Sequence, residues 1–111
     1  MPRIRVTFDK TGDLRYISHL DTMRMVERAC RRADLPMELT QGFHPHPKIS
    51  VIPAVKVGTE AMGLNADISL KIAVSLGDIV KRLNVVLPPE INITGAREIR
   101  KVKIGGIRQW V

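Results

Sequence analysis

The spacing of apolar residues changes period several times along this chain, and the order of those changes is what most restricts its fold. Residues 3–8 (RIRVTF) alternate polar and apolar, the pattern of a strand with one buried face. Residues 19–33 then repeat at the helical period, with Met23, Val26, Ala29, Cys30 and Ala33 on one face. Alternation returns at 67–74 (DISLKIAV) and again at 91–96, a strand that can continue through Ile99. Between these two, residues 75–87 place Leu76, Ile79, Val80 and Leu83 at helical spacing. Prolines close both helices: Pro36 the first, Pro88 and Pro89 the second.

The connecting residues fit this order. Ser18 and Ser75 stand where a hydroxyl can accept free backbone N–H groups, and Asp21 completes a weaker form of the capping box after Ser18. Residues 9–13 supply a turn, with Gly12 free to take positive φ. Residues 14–17 read as extended, so the start is expected to be a hairpin or a bent strand. Residues 37–40 suggest a short strand. The stretch QGFHPHPK (41–48) is irregular because its prolines remove donors and push His44 and His46 towards extended geometry. A strand entered at Ile49 and interrupted by Pro53 is expected next, then a loop over 58–65. The whole predicts an α+β fold: a ferredoxin-like β-α-β-β-α-β sandwich, its antiparallel sheet carrying two helices on one face. Residues 1–99 are expected to form one α+β domain. Residues 100–111 are expected to be a basic tail, either a natural short form or the start of a missing second half.

Composition limits the function classes. The 111 residues are 44% hydrophobic and 26% charged, as in ordinary folded domains. No apolar run reaches the roughly 18 residues of a membrane helix, so no membrane partner is expected. The beginning of the chain has no apolar signal-peptide core. A single cysteine forms no internal disulfide, which suits a reducing cytoplasm. Aromatics are only 4%, against the stacking platforms of single-strand binders. Charge is more informative: eighteen Lys and Arg against eleven Asp and Glu leave +7, which suggests an anionic partner, nucleic acid first. The excess lies at the two ends, with +3 in residues 1–50, +1 in 51–89 and +3 in 90–111.

The most specific charged feature is Arg24, Arg28, Arg31 and Arg32, which share the polar face of the first predicted helix. Arginine forks match phosphate. The alternative is a solvated face relieved by Glu27 and Asp21, with Glu27 pairing Arg31 one turn on. Arg15, Lys48 and Lys10 are expected to extend this surface if the fold permits. His44 and His46 are an HxH pair, but two ligands are too few for a metal site, so loop histidines held by prolines are the better reading. His19 lies near the apolar side of the helix start, and Asp21 lies on another face, so no His–Asp catalytic pair is indicated. Cys30 is expected to be a buried apolar residue rather than a reactive thiol. Nucleophile-elbow, P-loop and dinucleotide motifs are absent. One cysteine cannot bind the iron–sulfur cluster of a radical S-adenosylmethionine (radical SAM) enzyme, and no cofactor is expected.

The segments ISHLDTMRMVERACRRADLP and QGFHPHPKIS carry a family resemblance. The chain resembles the radical SAM-linked domain of unknown function, a small protein or a domain fused C-terminal to cobalamin-type radical SAM proteins. Its pattern looks like KxGxLRFISHLDxMRxxERAxRRAxLPxxxSQGFNPHPxIS. The match is dense from Lys10 to Ser50, and weaker through DISL and LPPEINITGA. His44 stands where the pattern has Asn, so the HxH pair is not a family feature. The resemblance implies a cytoplasmic prokaryotic protein associated with a radical SAM enzyme, in cis or in trans.

Three functional expectations follow. The first is a noncatalytic accessory module that binds tRNA or rRNA. Its contacts would be Arg15, Arg24, Arg28, Arg31, Arg32 and Lys48, beside a motif region of Ser18, His19, Asp21, Gln41, Gly42, Phe43, His46 and Pro47. The second is a protein–protein docking domain that offers the motif loop GFHPHP (42–47) to a radical SAM partner, the basic face serving mostly solubility. The third is an RNA-processing enzyme using His19 and His46 as acid–base groups.

Overall fold

The computed structural model describes residues 2–52, 58 and 60–111. The elements run β1 (Arg3–Lys10), a short 3-10 helix (Gly12–Tyr16), α1 (His19–Arg32), β2 (Ile49–Ile52), β3 (Ala61–Ser69), α2 (Leu76–Val86), β4 (Ile91–Ile99), β5 (Lys101–Ile104) and β6 (Ile107–Trp110). Four strands form one sheet in the order β2-β3-β1-β4, and every neighbouring pair is antiparallel. Each helix follows one strand of this sheet and returns the chain to another. This is the ferredoxin-like arrangement that the period changes predict.

Both helices pack on one face of the sheet. Ile4, Val6 and Phe8 of β1, Leu64, Ala66 and Ile68 of β3, and Ile91 and Ile93 of β4 point into the core. There they meet Val26, Ala29 and Cys30 of α1 and Ile79 and Leu83 of α2. Burial of each Val, Leu, Ile or Phe among them contributes about 1.5–3 kcal/mol. The opposite face of β1 and β3 carries Arg3, Arg5, Asn65, Asp67 and Ser69, and neither helix covers it.

Local chemistry sets the helix ends. Ser18 Oγ accepts from the Asp21 N–H at 3.1 Å, as the capping pattern predicts. At the other end Asp34 takes φ 58°. The Leu35 N–H reaches Cys30 O, and the Asp34 N–H reaches Arg31 O, a Schellman closure ahead of Pro36. Ser75 occupies the start of α2 but its side chain makes no capping bond.

Several expectations are corrected. Residues 14–17 do not extend as a second strand. Gly12 turns with φ +60°, Arg15 Nη1 donates to Gly12 O at 2.8 Å, and the segment winds into the 3-10 helix. The strand expected at 67–74 begins at Ala61 and ends at Ser69, because alternation through Leu64, Ala66 and Ile68 overrides the loop signals of Gly63 and Asn65. The strand expected at 37–40 is reduced to two bridges, Met37 with Leu70 and Leu39 with Pro47. The basic tail, to which the sequence assigns no element, forms the β5–β6 hairpin, with Gly105 and Gly106 both at positive φ in its turn. The expected interruption at Pro53 lies outside the described residues.

Candidate functional site

The arginines of α1 divide into two kinds. Arg31 Nη2 donates to Glu27 Oε1 at 2.9 Å, and Arg24 approaches Asp21 at 3.8 Å. Arg28 and Arg32, one turn apart, instead line a hollow between the helices. One part, of about 270 Å³, is bounded by Met25, Arg28, Ala29, Arg32, Val86, Leu87 and Pro88. A second, of about 350 Å³, is bounded by Arg32, Ala33, Asp78, Lys81, Arg82, Val85 and Val86. Arg32 and Val86 belong to both, so the two hollows adjoin along the groove between α1 and α2.

Arg28 and Arg32 line the first hollow, and Arg32, Lys81, Arg82 and one carboxylate the second. Arg82 Nη2 holds the carboxylate, Asp78 Oδ2, at 2.9 Å. Apolar residues line the second hollow too, and Val85 is 77% exposed. Such a surface offers cationic donors beside apolar area, a combination suited to a polyanion. Sequence reasoning misses Lys81 and Arg82. The helical wheel of α2 puts them on its polar side, but only the packing of α2 against α1 brings them to Arg32.

The other candidates lie elsewhere. Arg15 is occupied locally: it donates to Gly12 O and, at 2.6 Å, to Tyr16 Oη, and its guanidinium lies 4.3 Å from the Tyr16 ring centroid. Lys10 does not join a basic surface. It is 1% exposed, its Nζ donates to Ile17 O at 2.9 Å, and burial pushes its pKa down. Ser18 is the α1 cap, His19 is half-buried in the first turn, and Asp21 is exposed.

The motif loop is pinned at one point. Pro47 is buried and bridges to Leu39, whereas Gln41, Gly42, Phe43 and His46 are exposed. Phe43 has no shelter at all. Mutual bonds join Thr40 and His46: Thr40 N–H donates to His46 O at 2.8 Å, and His46 N–H to Thr40 Oγ1 at 3.2 Å. Lys48 Nζ donates to Glu38 Oε2 at 2.8 Å. His46, Pro47 and Lys48 line a cleft of about 250 Å³ with Arg3, Thr40, Ile49 and Ser50. His19 and Arg15 do not line it, so the structure does not bring the two histidines of the enzyme expectation together there.

Cys30 is fully buried, and burial, with the nearby Glu27 charge, pushes its thiol up to about 12. Among the described residues no group of three His, Cys, Asp or Glu side chains is placed to hold a metal ion, and no helix is long and apolar enough to cross a membrane. A family model described as an uncharacterized protein conserved in bacteria (DUF2344) matches residues 3–106. No curated protein matches the chain.

Proposed function

The chain belongs to this uncharacterized bacterial family, and from that footing we propose that it is a noncatalytic accessory module that binds RNA, tRNA or rRNA, through the groove between its two helices. The observation that carries the reading is that Arg32 lines both hollows between the helices, with Arg28 beside it in one and Lys81 and Arg82 in the other. Arg24 and Arg31 line neither hollow and contribute less. The enzyme it serves is proposed from the resemblance of residues 10–50: a radical SAM protein, joined in cis or met in trans in the cytoplasm. The chemistry would belong to that partner, and this module would hold the RNA against it.

Charge reversal tests the reading. Arg28→Glu with Arg32→Glu is expected to weaken RNA binding at least tenfold. It should also lower the dependence of log affinity on log salt by about one for each phosphate that is no longer neutralised. Unchanged affinity and an unchanged salt slope would reject it.

A second reading is favoured by Phe43, whose ring is wholly exposed at the turn of the motif loop. An exposed aromatic on a loop anchored by Pro47 suits docking on a protein, here the radical SAM partner. Co-purification that resists nuclease and high salt but is lost in Phe43→Ala would favour docking over RNA binding.

A further inference from the structure

Arg3 and Arg5 stand on the same face of β1, yet Asp67 serves chiefly one of them. Arg5 grips its carboxylate with Nε at 2.8 Å and Nη2 at 2.9 Å. That bond raises the Arg5 pKa above its ordinary value, against the smaller opposing effect of burial. Arg3 comes no nearer the same carboxylate than 3.7 Å, too long for a hydrogen bond. Its Nη1 reaches Ser69 Oγ only at 3.4 Å, and its Nε is buried with no acceptor among the described residues. The guanidinium is nevertheless held in place, because it lies 4.4 Å from the centroid of the Trp110 ring on β6. The fold thus orients a five-donor fork and leaves most of its donors unmet.

The same side chain, 23% exposed, lines the cleft with the motif loop. Thr40 Oγ1 accepts from His46 N–H and so keeps its own proton to donate. Lys48 uses one N–H on Glu38 and has further N–H groups free to donate. Ser50 adds a hydroxyl. Cation, fork and hydroxyls together match an oxyanion, and a bidentate arginine fits phosphate better than a point charge does. Exposed cations lie on the adjoining elements: Arg97, opposite Arg5 across β1 and β4, and Lys101 and Arg108 on the hairpin.

We propose that this cleft is an oxyanion site that takes a phosphate group, with Arg3 as the fork and Lys48, Thr40 and Ser50 as further donors. Resting on the RNA reading above, the phosphate belongs to the backbone of a strand that reaches the helix-free face of the sheet. The free chemical equivalent is inorganic phosphate, and the two sources are separable.

The test is an NMR titration of the full isotopically labelled chain with inorganic phosphate, against sodium chloride at matched ionic strength. Saturable shifts are expected at the Arg3 Nη groups and at the amides of Thr40, His46 and Lys48. Arg3→Gln should abolish them, and Arg3→Lys, which keeps charge but loses the fork, should weaken binding about tenfold. Lys48→Ala changes only the exposed rim, and should weaken binding even if Arg3→Gln fails to fold. Shifts that are absent, or equal in chloride, would overturn the site. A short oligoribonucleotide then separates the sources. Displacement of phosphate from the cleft supports the backbone assignment. Phosphate binding without such competition supports the oxyanion site and rejects an RNA phosphate as its occupant. Oligonucleotide binding confined to the groove between α1 and α2, with no phosphate response at Arg3, overturns this inference and leaves the RNA reading standing.

Discussion

Gly12 takes φ +60°, and a Cβ placed on it would lie 2.9 Å from Glu90 Cγ. Gly12→Ala is therefore expected to destabilise the fold by about 1–2 kcal/mol in urea denaturation, from left-handed backbone strain before any adjustment of Glu90. Cys30 makes a different prediction. Its buried thiol keeps its proton up to about 12, against an ordinary value of 9.0, whereas the unfolded chain releases it earlier. The stabilising difference is whole below pH 9 and is lost as pH rises towards 12, because the unfolded state then binds fewer protons than the native one. Native protein should resist thiol alkylation at pH 8 and react once denaturant is added; rapid native labelling would contradict the burial. The thiol's inertness is legible from helical periodicity. The burial of Lys10 is not, for a particular reason. Alternation through Ile4, Val6 and Phe8 points the next member of the series inward, but lysine is so seldom buried that the pattern reads as ending at Phe8.

The two helix caps separate what a sequence pattern promises from what the backbone delivers. Ser18 makes its bond and Ser75 does not. Ser18→Ala is expected to cost about 1 kcal/mol, and Ser75→Ala a few tenths at most, in thermal or chemical unfolding. The reverse order would contradict the geometry. The bounds of α1 and its buried face are legible because a cap, a strict apolar stripe and Pro36 agree. The start of β3 is not, because Gly63 and Asn65 look like loop punctuation yet stand within a paired strand. The arginines along α1 also differ in expected weight. Arg24→Ala and Arg31→Ala, which break existing ion pairs with Asp21 and Glu27, should each reduce RNA affinity less than Arg28→Ala or Arg32→Ala. A binding assay at one fixed salt concentration ranks the four.

For the molecule as a whole, topology follows from order. Two helices that each return the chain to an antiparallel sheet lie on one of its faces, which leaves the other without a helix. That much is legible in the sequence. Which surfaces share residues is not, because it depends on contacts between segments far apart in the chain. Arg32 meets Lys81 and Arg82 only when α1 packs beside α2. Arg3 meets His46 and Lys48 only when β1 lies inside the sheet and the motif loop folds against its end. The motif that carries the family resemblance thus supplies α1 to one side of the molecule and the 41–48 loop to a cleft that includes Arg3 of the sheet. The decisive measurement for the RNA reading is fluorescence anisotropy of labelled tRNA with the intact chain at two salt concentrations, with duplex DNA as the control. Saturable binding that prefers RNA and weakens steeply as salt rises is the expected result. Absence of binding at physiological salt would contradict it and make the +7 charge a property of the surface alone.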